Sequence, residues 1–247
     1  MDAVLLFSGQ GAQKVGMGKD LYDQYPVAKA LIEQADKALG ESLSAVMFEG
    51  PGEELTRTCN CQPALYVHGL ACLAVLKELV PSLNPVAAAG LSLGEFTAHA
   101  AAGTYSFEEG LRLVQKRGAF MEEACNATKG TMAAMIGGTD ENVIKLAQEC
   151  DVDVANFNCP GQTVVSGTEE GVAKAVAGAK AAGCKIAKKL NVAGAYHSRL
   201  MHSAMVKLAE ELKNISFGTP SMPVYCNYEA RVVEGPDDIR SMLEHQV

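Results

Sequence analysis

The sequence predicts an α/β protein with a parallel sheet, interrupted in its middle by a smaller β-α-β-β-α-β unit. Three observations carry that prediction. Short apolar runs alternate with amphipathic stretches of helical period. Glycine-rich turns follow two of the runs, at Ser8-Gly9-Gln10-Gly11 and at Gly90-Leu91-Ser92-Leu93-Gly94. From residue 129 the spacing changes to closely set strands with two intervening helices.

Val4–Phe7 reads as a buried strand, ended by the first glycine-rich turn. Apolar residues recur at helical spacing over Pro26–Leu39. A second helix is predicted to begin at Gln62-Pro63, where proline suits a first turn, and to run through Ala64, Leu65, Val67, Leu70 and Ala71 to Leu79. Val86–Gly90 reads as a short buried strand and Glu95–Ala102 as a small-residue helix stopped by Gly103. Phe107–Glu123 is a helix with Leu111, Val114 and Met121 on its apolar side. Thr131–Ile136, Val152–Phe157, Thr163–Ser166 and Lys185–Val192 are predicted strands, interleaved with helices at Glu141–Cys150 and Glu169–Ala182. That order is ferredoxin-like and places an inserted subdomain at residues 129–190 within a body of residues 1–128 and 191–247. Helices at Ser198–Leu212 and Asp237–His245, with a strand at Val224–Asn227 between them, complete the reading.

Composition narrows the function classes. With 48% hydrophobic and 20% charged residues over 247 positions, the chain can bury a sizeable core. Its apolar stretches fall short of the ~20 residues a membrane helix needs, and Met1-Asp2 leads into Ala3 without a basic leader, so the expectation is a soluble, cytoplasmic protein with no membrane role. A net charge of -8 argues against nucleic-acid binding, which shows as a basic face. The eight cysteines are scattered and read as reduced thiols. Cys59 and Cys61 form the one close pair, without a second pair or a histidine at ligand spacing, so no metal site is predicted.

Ser92 falls between a predicted strand and a predicted helix, the context of a nucleophile elbow. Flanking glycines permit the tight turn, and the N–H groups at the start of the following helix can face a developing oxyanion. A serine nucleophile needs a base. Of the five histidines, His197 is best placed, where the insert returns to the body just before a helix and a cleft between subdomains would form. His68 and His99 read as packing residues of apolar helices, His202 and His245 as helix-surface residues.

Six segments in order resemble the malonyl-CoA:acyl carrier protein transacylase family of fatty acid synthesis. They are Phe7-Ser8-Gly9-Gln10-Gly11-Ala12-Gln13, Gln62-Pro63-Ala64-Leu65, Gly90-Leu91-Ser92-Leu93-Gly94-Glu95, Gln115-Lys116-Arg117-Gly118, Asn156-Phe157-Asn158-Cys159-Pro160-Gly161-Gln162 and Gly194-Ala195-Tyr196-His197-Ser198. The resemblance spans essentially the whole chain. It implies an α/β-hydrolase-like body with a parallel sheet, carrying the ferredoxin-like insert, and an active site in the cleft between the two.

The implied reaction moves a malonyl group from malonyl-CoA to the phosphopantetheine thiol of acyl carrier protein through a malonyl-serine intermediate, with no cofactor. Ser92 is the implied nucleophile and His197 its base, with the backbone carbonyl of Gln246 orienting the imidazole. The backbone N–H groups of Gln10 and Leu93 form the implied oxyanion hole. Arg117 corresponds to the residue that pairs with the malonyl carboxylate, a task suited to a planar, permanently charged guanidinium. Gln62 and Asn158 match positions lining the same site. Tyr196 stands where malonyl-selective relatives carry phenylalanine, and a large aromatic there crowds an α-methyl branch. Leu91 departs from a common histidine and Ser8 from a common proline; both are expected to tune the site.

Two other readings stay open on the sequence. One is a serine hydrolase or thioesterase that releases free acid to water; the other is an inactive, truncated module that binds carrier protein. The second arises because the family continues past the position of Gln246, so the chain is expected to lack a C-terminal segment; a full-length form is expected to be a monomer. Arg112, Lys116, Lys185, Lys188 and Lys189 are candidates for a basic patch that meets an acidic carrier protein.

Overall fold

The computed structural model describes residues 1–247 as two compact units: residues 1–119 with 208–246, and residues 120–207 with Val247. In the first unit, β1 (Asp2–Phe7) and β2 (Asn84–Gly90) pair in parallel, with Leu5 opposite Ala88 and Phe7 opposite Gly90. Beyond β2, Ala88 bridges in parallel to Val224, and Tyr225 bridges antiparallel to Val232. The strand predicted at Val224–Asn227 is therefore reduced to isolated bridges, because the Asn227 N–H turns away to a side chain, Glu95. The strand predicted as buried over Val4–Phe7 is covered on one face only. Leu5 is buried, whereas Val4 and Leu6 are 55% and 77% exposed.

The helices of this unit begin with α1 (Lys19–Gln24), α2 (Pro26–Leu39), α3 (Leu43–Glu49), α4 (Gly52–Thr56) and α5 (Thr58–Leu79). The bounds of α2 match its periodicity, with Ala28, Ile32 and Ala35 buried and Gly40 closing it in the left-handed conformation. α5 starts four residues before its predicted N-terminus and takes Pro63 inside its second turn. At 22 residues it is long and apolar enough to cross a membrane, contrary to the sequence expectation, yet 61% of that apolar window is buried inside the protein. Its apolar surface is therefore largely that of a core helix. α6 (Leu93–Ala101) packs on α5 and on both strands. α7 (Phe107–Ala127) crosses the start of α5 at Gly118, where a Cβ would lie 2.5 Å from the Thr58 carbonyl oxygen. That close approach carries Arg117 toward the first turns of α5.

The second unit holds β3 (Gly130–Ile136), α8 (Asp140–Glu149), β4 (Asp153–Cys159), β5 (Gln162–Thr168), α9 (Glu169–Gly178) and β6 (Ile186–Lys189). The strands are antiparallel in the order β4-β5-β3-β6, the ferredoxin-like arrangement that the sequence predicts. Thr139 and Thr168 cap α8 and α9 through their hydroxyls, and Ala133, Met135, Val165, Val143, Leu146 and Val172 form the core between sheet and helices. α9 and β6 are both shorter than predicted. Backbone bonds from Ala182 to Gly178 and from Cys184 to Ala179 fold the intervening residues into a turn. A 3-10 turn at Arg199–Met201 precedes α10 (His202–Lys213), and α11 (Pro236–His245) is the last helix. All eight cysteines are free thiols.

Candidate active site

Ser92 stands between β2 and α6 with φ 51° and ψ -105°, a left-handed backbone that a residue with a Cβ adopts only under constraint. The constraint is visible on both sides. A Cβ on Gly90 would overlap the Gly94 carbonyl, and a Cβ on Gly94 would overlap the Phe7 carbonyl. The Leu91 N–H donates to the Phe7 carbonyl at 3.1 Å, holding the elbow on the end of β1. Asn227 brackets the turn: its Oδ1 accepts from the Ser92 N–H at 2.7 Å, and its Nδ2 donates to the Gly90 carbonyl at 2.7 Å. Leu91, at the tip, is half-exposed.

The predicted oxyanion donors lie beside this turn. Leu93 is the first residue of α6, where a backbone N–H has no intrahelical acceptor. Gln10 follows Gly9, whose missing Cβ would sit 2.5 Å from the Leu91 carbonyl oxygen, so the β1 turn lies directly against the elbow.

Arg117 is the largest of the fully buried side chains, 1% exposed. Its Nη1 donates to Gln62 Oε1 at 2.8 Å, and its Nη2 donates to Gln246 Oε1 at 2.7 Å and to Ser92 Oγ at 3.1 Å. The guanidinium also lies over the Phe96 ring, 5.0 Å from its centroid. Four of the predicted site residues, Gln62, Ser92, Arg117 and Gln246, thus form one hydrogen-bonded cluster. Gln246 enters it through its side chain as well as by position, since its Nε2 donates to the Ser92 carbonyl at 2.7 Å and to Glu95 Oε2 at 2.8 Å.

Glu95 is fully buried in the first turn of α6. Its Oε2 accepts from Gln246 and from the Asn227 N–H, while Oε1 is buried without a hydrogen bond. Burial pushes its carboxyl up to about 7, against the opposing pull of the Gln246 and Asn227 hydrogen bonds and of Arg117. His99, one turn further along, pairs with Thr104 Oγ1 at 3.2 Å, and burial pushes it down to about 4, which fits the packing role read from its helix. The sequence assigns no site role to Glu95, to Asn227 or to the Gln246 side chain. Glu95 leaves one signal there, an acidic residue in the opening turn of an otherwise apolar helix; Asn227 leaves none.

In the second unit, His197 is half-buried with φ 54°, in a turn fixed by Ser198, whose Oγ donates to the Ala195 carbonyl at 2.6 Å and accepts from the Leu200 N–H. Gly194 gives this segment close contact with the end of α7, because a Cβ there would overlap Cys125 Sγ. Tyr196 is buried and hydrogen-bonds Cys125. Asn158 is exposed near the end of β4, where the strand turns into β5. His202 and His245 are exposed, as predicted, and His68 is half-buried. Three of the candidate basic residues are held in ion pairs. Arg112 pairs with Glu108, Lys116 with Glu211 and Lys189 with Glu169. Lys188 and Lys189 are neighbours on β6 and so project from opposite faces of the sheet.

A family model described as acyl transferase domain matches residues 4–243. The malonyl CoA-acyl carrier protein transacylase of Bacillus subtilis (strain 168) is 44% identical over 247 residues, covering 98% of the chain and 77% of that relative. Among solved structures, the malonyl CoA-acyl carrier protein transacylase from Coxiella burnetii matches with a TM-score of 0.94 at 36% identity, covering 98% of the chain and 78% of its own. A second solved structure, a type II PKS acyl-carrier protein in complex with its malonyl-transacylase, matches with a TM-score of 0.93 at 37% identity, covering 98% of the chain and 80% of its own.

Proposed function

The chain belongs to the acyl transferase domain family, and on that premise we propose that it transfers a malonyl group from coenzyme A to the phosphopantetheine thiol of acyl carrier protein. The observation that carries the reading is the hydrogen bond from the buried Arg117 guanidinium to Ser92 Oγ. It sets a permanent cation beside the nucleophile. An acyl group bearing its own carboxylate can lay that carboxylate on the guanidinium while its thioester carbon meets Oγ.

In the proposed sequence, Ser92 Oγ attacks the malonyl thioester carbonyl, with His197 taking the hydroxyl proton. The backbone N–H groups of Gln10 and Leu93 hold the oxyanion, and such a donor typically supplies a factor of about 100 to 1000 in rate. The carbon–sulfur bond breaks and coenzyme A leaves as the thiol, carrying the proton from His197. The carrier-protein thiol then gives its proton to His197 and attacks the serine ester; the carbon–oxygen bond breaks and Ser92 recovers a proton. The Gln246 backbone carbonyl orients the imidazole, and Gln62, Asn158 and Tyr196 line the acyl site. This route needs no cofactor, and a soluble enzyme of the cytoplasm fits it.

The test is intact mass after exposure to malonyl-CoA, with and without phosphopantetheinylated carrier protein. A malonyl adduct on the enzyme that moves to the carrier is expected. Ser92→Ala is expected to fold and stay unmodified; an adduct on that variant at wild-type yield refutes the nucleophile.

A further inference from the structure

We propose that Glu95 is a positioning residue for the carboxylate-binding guanidinium, acting through the amide of Gln246. The proposal rests on the malonyl-transfer reading above and names a residue for which that reading has no role.

A primary amide has an acceptor end and a donor end of nearly the same shape, and only its partners decide which way round it sits. Gln246 has to present its oxygen to Arg117, a group with donors only. Two acceptors on the other side enforce that orientation: the Ser92 carbonyl and Glu95 Oε2, both taking hydrogen bonds from Nε2. Reversing the amide would set its oxygen against two oxygens and its donors against a guanidinium. Glu95 is itself fixed, since the same Oε2 accepts from the Asn227 N–H at 2.9 Å and the side chain is fully buried. The chain of contacts runs from Glu95 through Gln246 to Arg117 and ends on Ser92 Oγ.

The geometry separates an acceptor role from a charge role. Both of the Glu95 hydrogen bonds fall on Oε2, and Oε1 has none. An oxygen at the Oε2 position can accept both bonds whether or not the group carries charge. Glutamine at this position can keep that oxygen and put its amide nitrogen where Oε1 now lies. Aspartate keeps the charge but withdraws the acceptor by one carbon–carbon bond, about 1.5 Å, out of reach of Gln246.

The experiment measures kcat and KM for malonyl-CoA and acetyl-CoA in wild type, Glu95→Asp and Glu95→Gln, each alone and on an Arg117→Ala background, with a thermal melt for each. Glu95→Asp is expected to cut the malonyl-over-acetyl preference by about tenfold, mainly through KM for malonyl-CoA, as fits loss of a hydrogen bond that orients a charged group. Glu95→Gln is expected to recover most of that preference. On Arg117→Ala the effect of Glu95→Asp on preference should disappear. Four results overturn the proposal: an unchanged preference in Glu95→Asp, an equal loss in both variants, a loss that persists without Arg117, or failure of Glu95→Gln to fold. If wild type forms no malonyl ester at all, the malonyl-transfer reading itself fails, and that outcome is distinct from the other four.

Discussion

Arg117 donates from Nη2 to the Oγ of Ser92 at 3.1 Å, so the buried cation and the nucleophile share a hydrogen bond before any acyl group arrives. On the proposed function, a substrate carboxylate placed on the guanidinium competes for the same Nη2, so seating the acyl group is expected to free Ser92 Oγ from that bond.

Removing the Arg117 side chain is expected to separate malonyl from acetyl transfer. Arg117→Ala is expected to slow malonyl transfer by about 3–5 kcal/mol in kcat/KM, as for one half of a buried charged pair, and acetyl transfer far less. Arg117→Lys is not expected to rescue it, because three acceptors are spread over the two terminal nitrogens of a planar fork. Parallel kinetics with the two thioesters check this; equal losses for both would make Arg117 a structural residue.

Asn227 is expected to matter as much as a residue in contact with substrate, although its hydrogen bonds go to backbone and to Glu95. Asn227→Ala removes two hydrogen bonds from the elbow and should cost about 1–3 kcal/mol of stability while slowing acylation. Asn227→Asp keeps the acceptor for the Ser92 N–H and loses the donor to Gly90, so it should recover only part. Urea unfolding beside single-turnover acylation measures both; an unchanged acylation rate in Asn227→Ala would show that the bracket is dispensable.

Two glycines separate crowding from backbone conformation. Gly94→Ala drives a Cβ into the Phe7 carbonyl and is expected to cost about 3 kcal/mol or more, with loss of acylation. Gly103 has φ 75° but nothing within 4 Å of where a Cβ would lie, so Gly103→Ala should cost about 1 kcal/mol and leave acylation intact. Thermal melts and acylation rates of the two variants check the contrast.

Two buried groups on α6 give stability opposite slopes with pH. The Glu95 carboxyl is raised to about 7 from an ordinary 4.5, so the folded state holds its proton longer and stability falls as pH rises through that window. His99 is lowered to about 4 from 6.5, so the unfolded state binds the proton first and stability rises over that range. Between pH 4.5 and 6.5 the two oppose each other. Glu95→Gln removes the falling contribution, and its melting temperature should climb with pH more steeply than that of wild type; parallel curves would place the titration elsewhere.

The parts of the fold that are legible in the sequence are those whose signal is local. α2 has two full faces, one apolar and one polar, and its ends follow from Pro26 and Gly40. The β-α-β-β-α-β succession of the second unit follows from local patterning and spacing. α1, α3 and α4 escape a sequence reading because five to seven residues are too few to show a helical period. α5 begins earlier than its sequence suggests because Pro63, a signal for a first turn, is tolerated one turn further in. Within the site, Ser92 and the glycines around it announce themselves by spacing. The Asn227 bracket does not, since its partners lie 135 and 137 positions away and no local pattern requires an asparagine there.

That separation has a consequence for how the protein comes into being. During synthesis Ser92 emerges long before Asn227 and Gln246, and until they arrive its strained turn has the Phe7 contact but not the side-chain bracket. Local contacts can form α6 early, but the reactive geometry waits for contacts that close very long loops. A nascent chain that ends short of Asn227 therefore carries Ser92 without the side chains that bracket its turn in the folded protein.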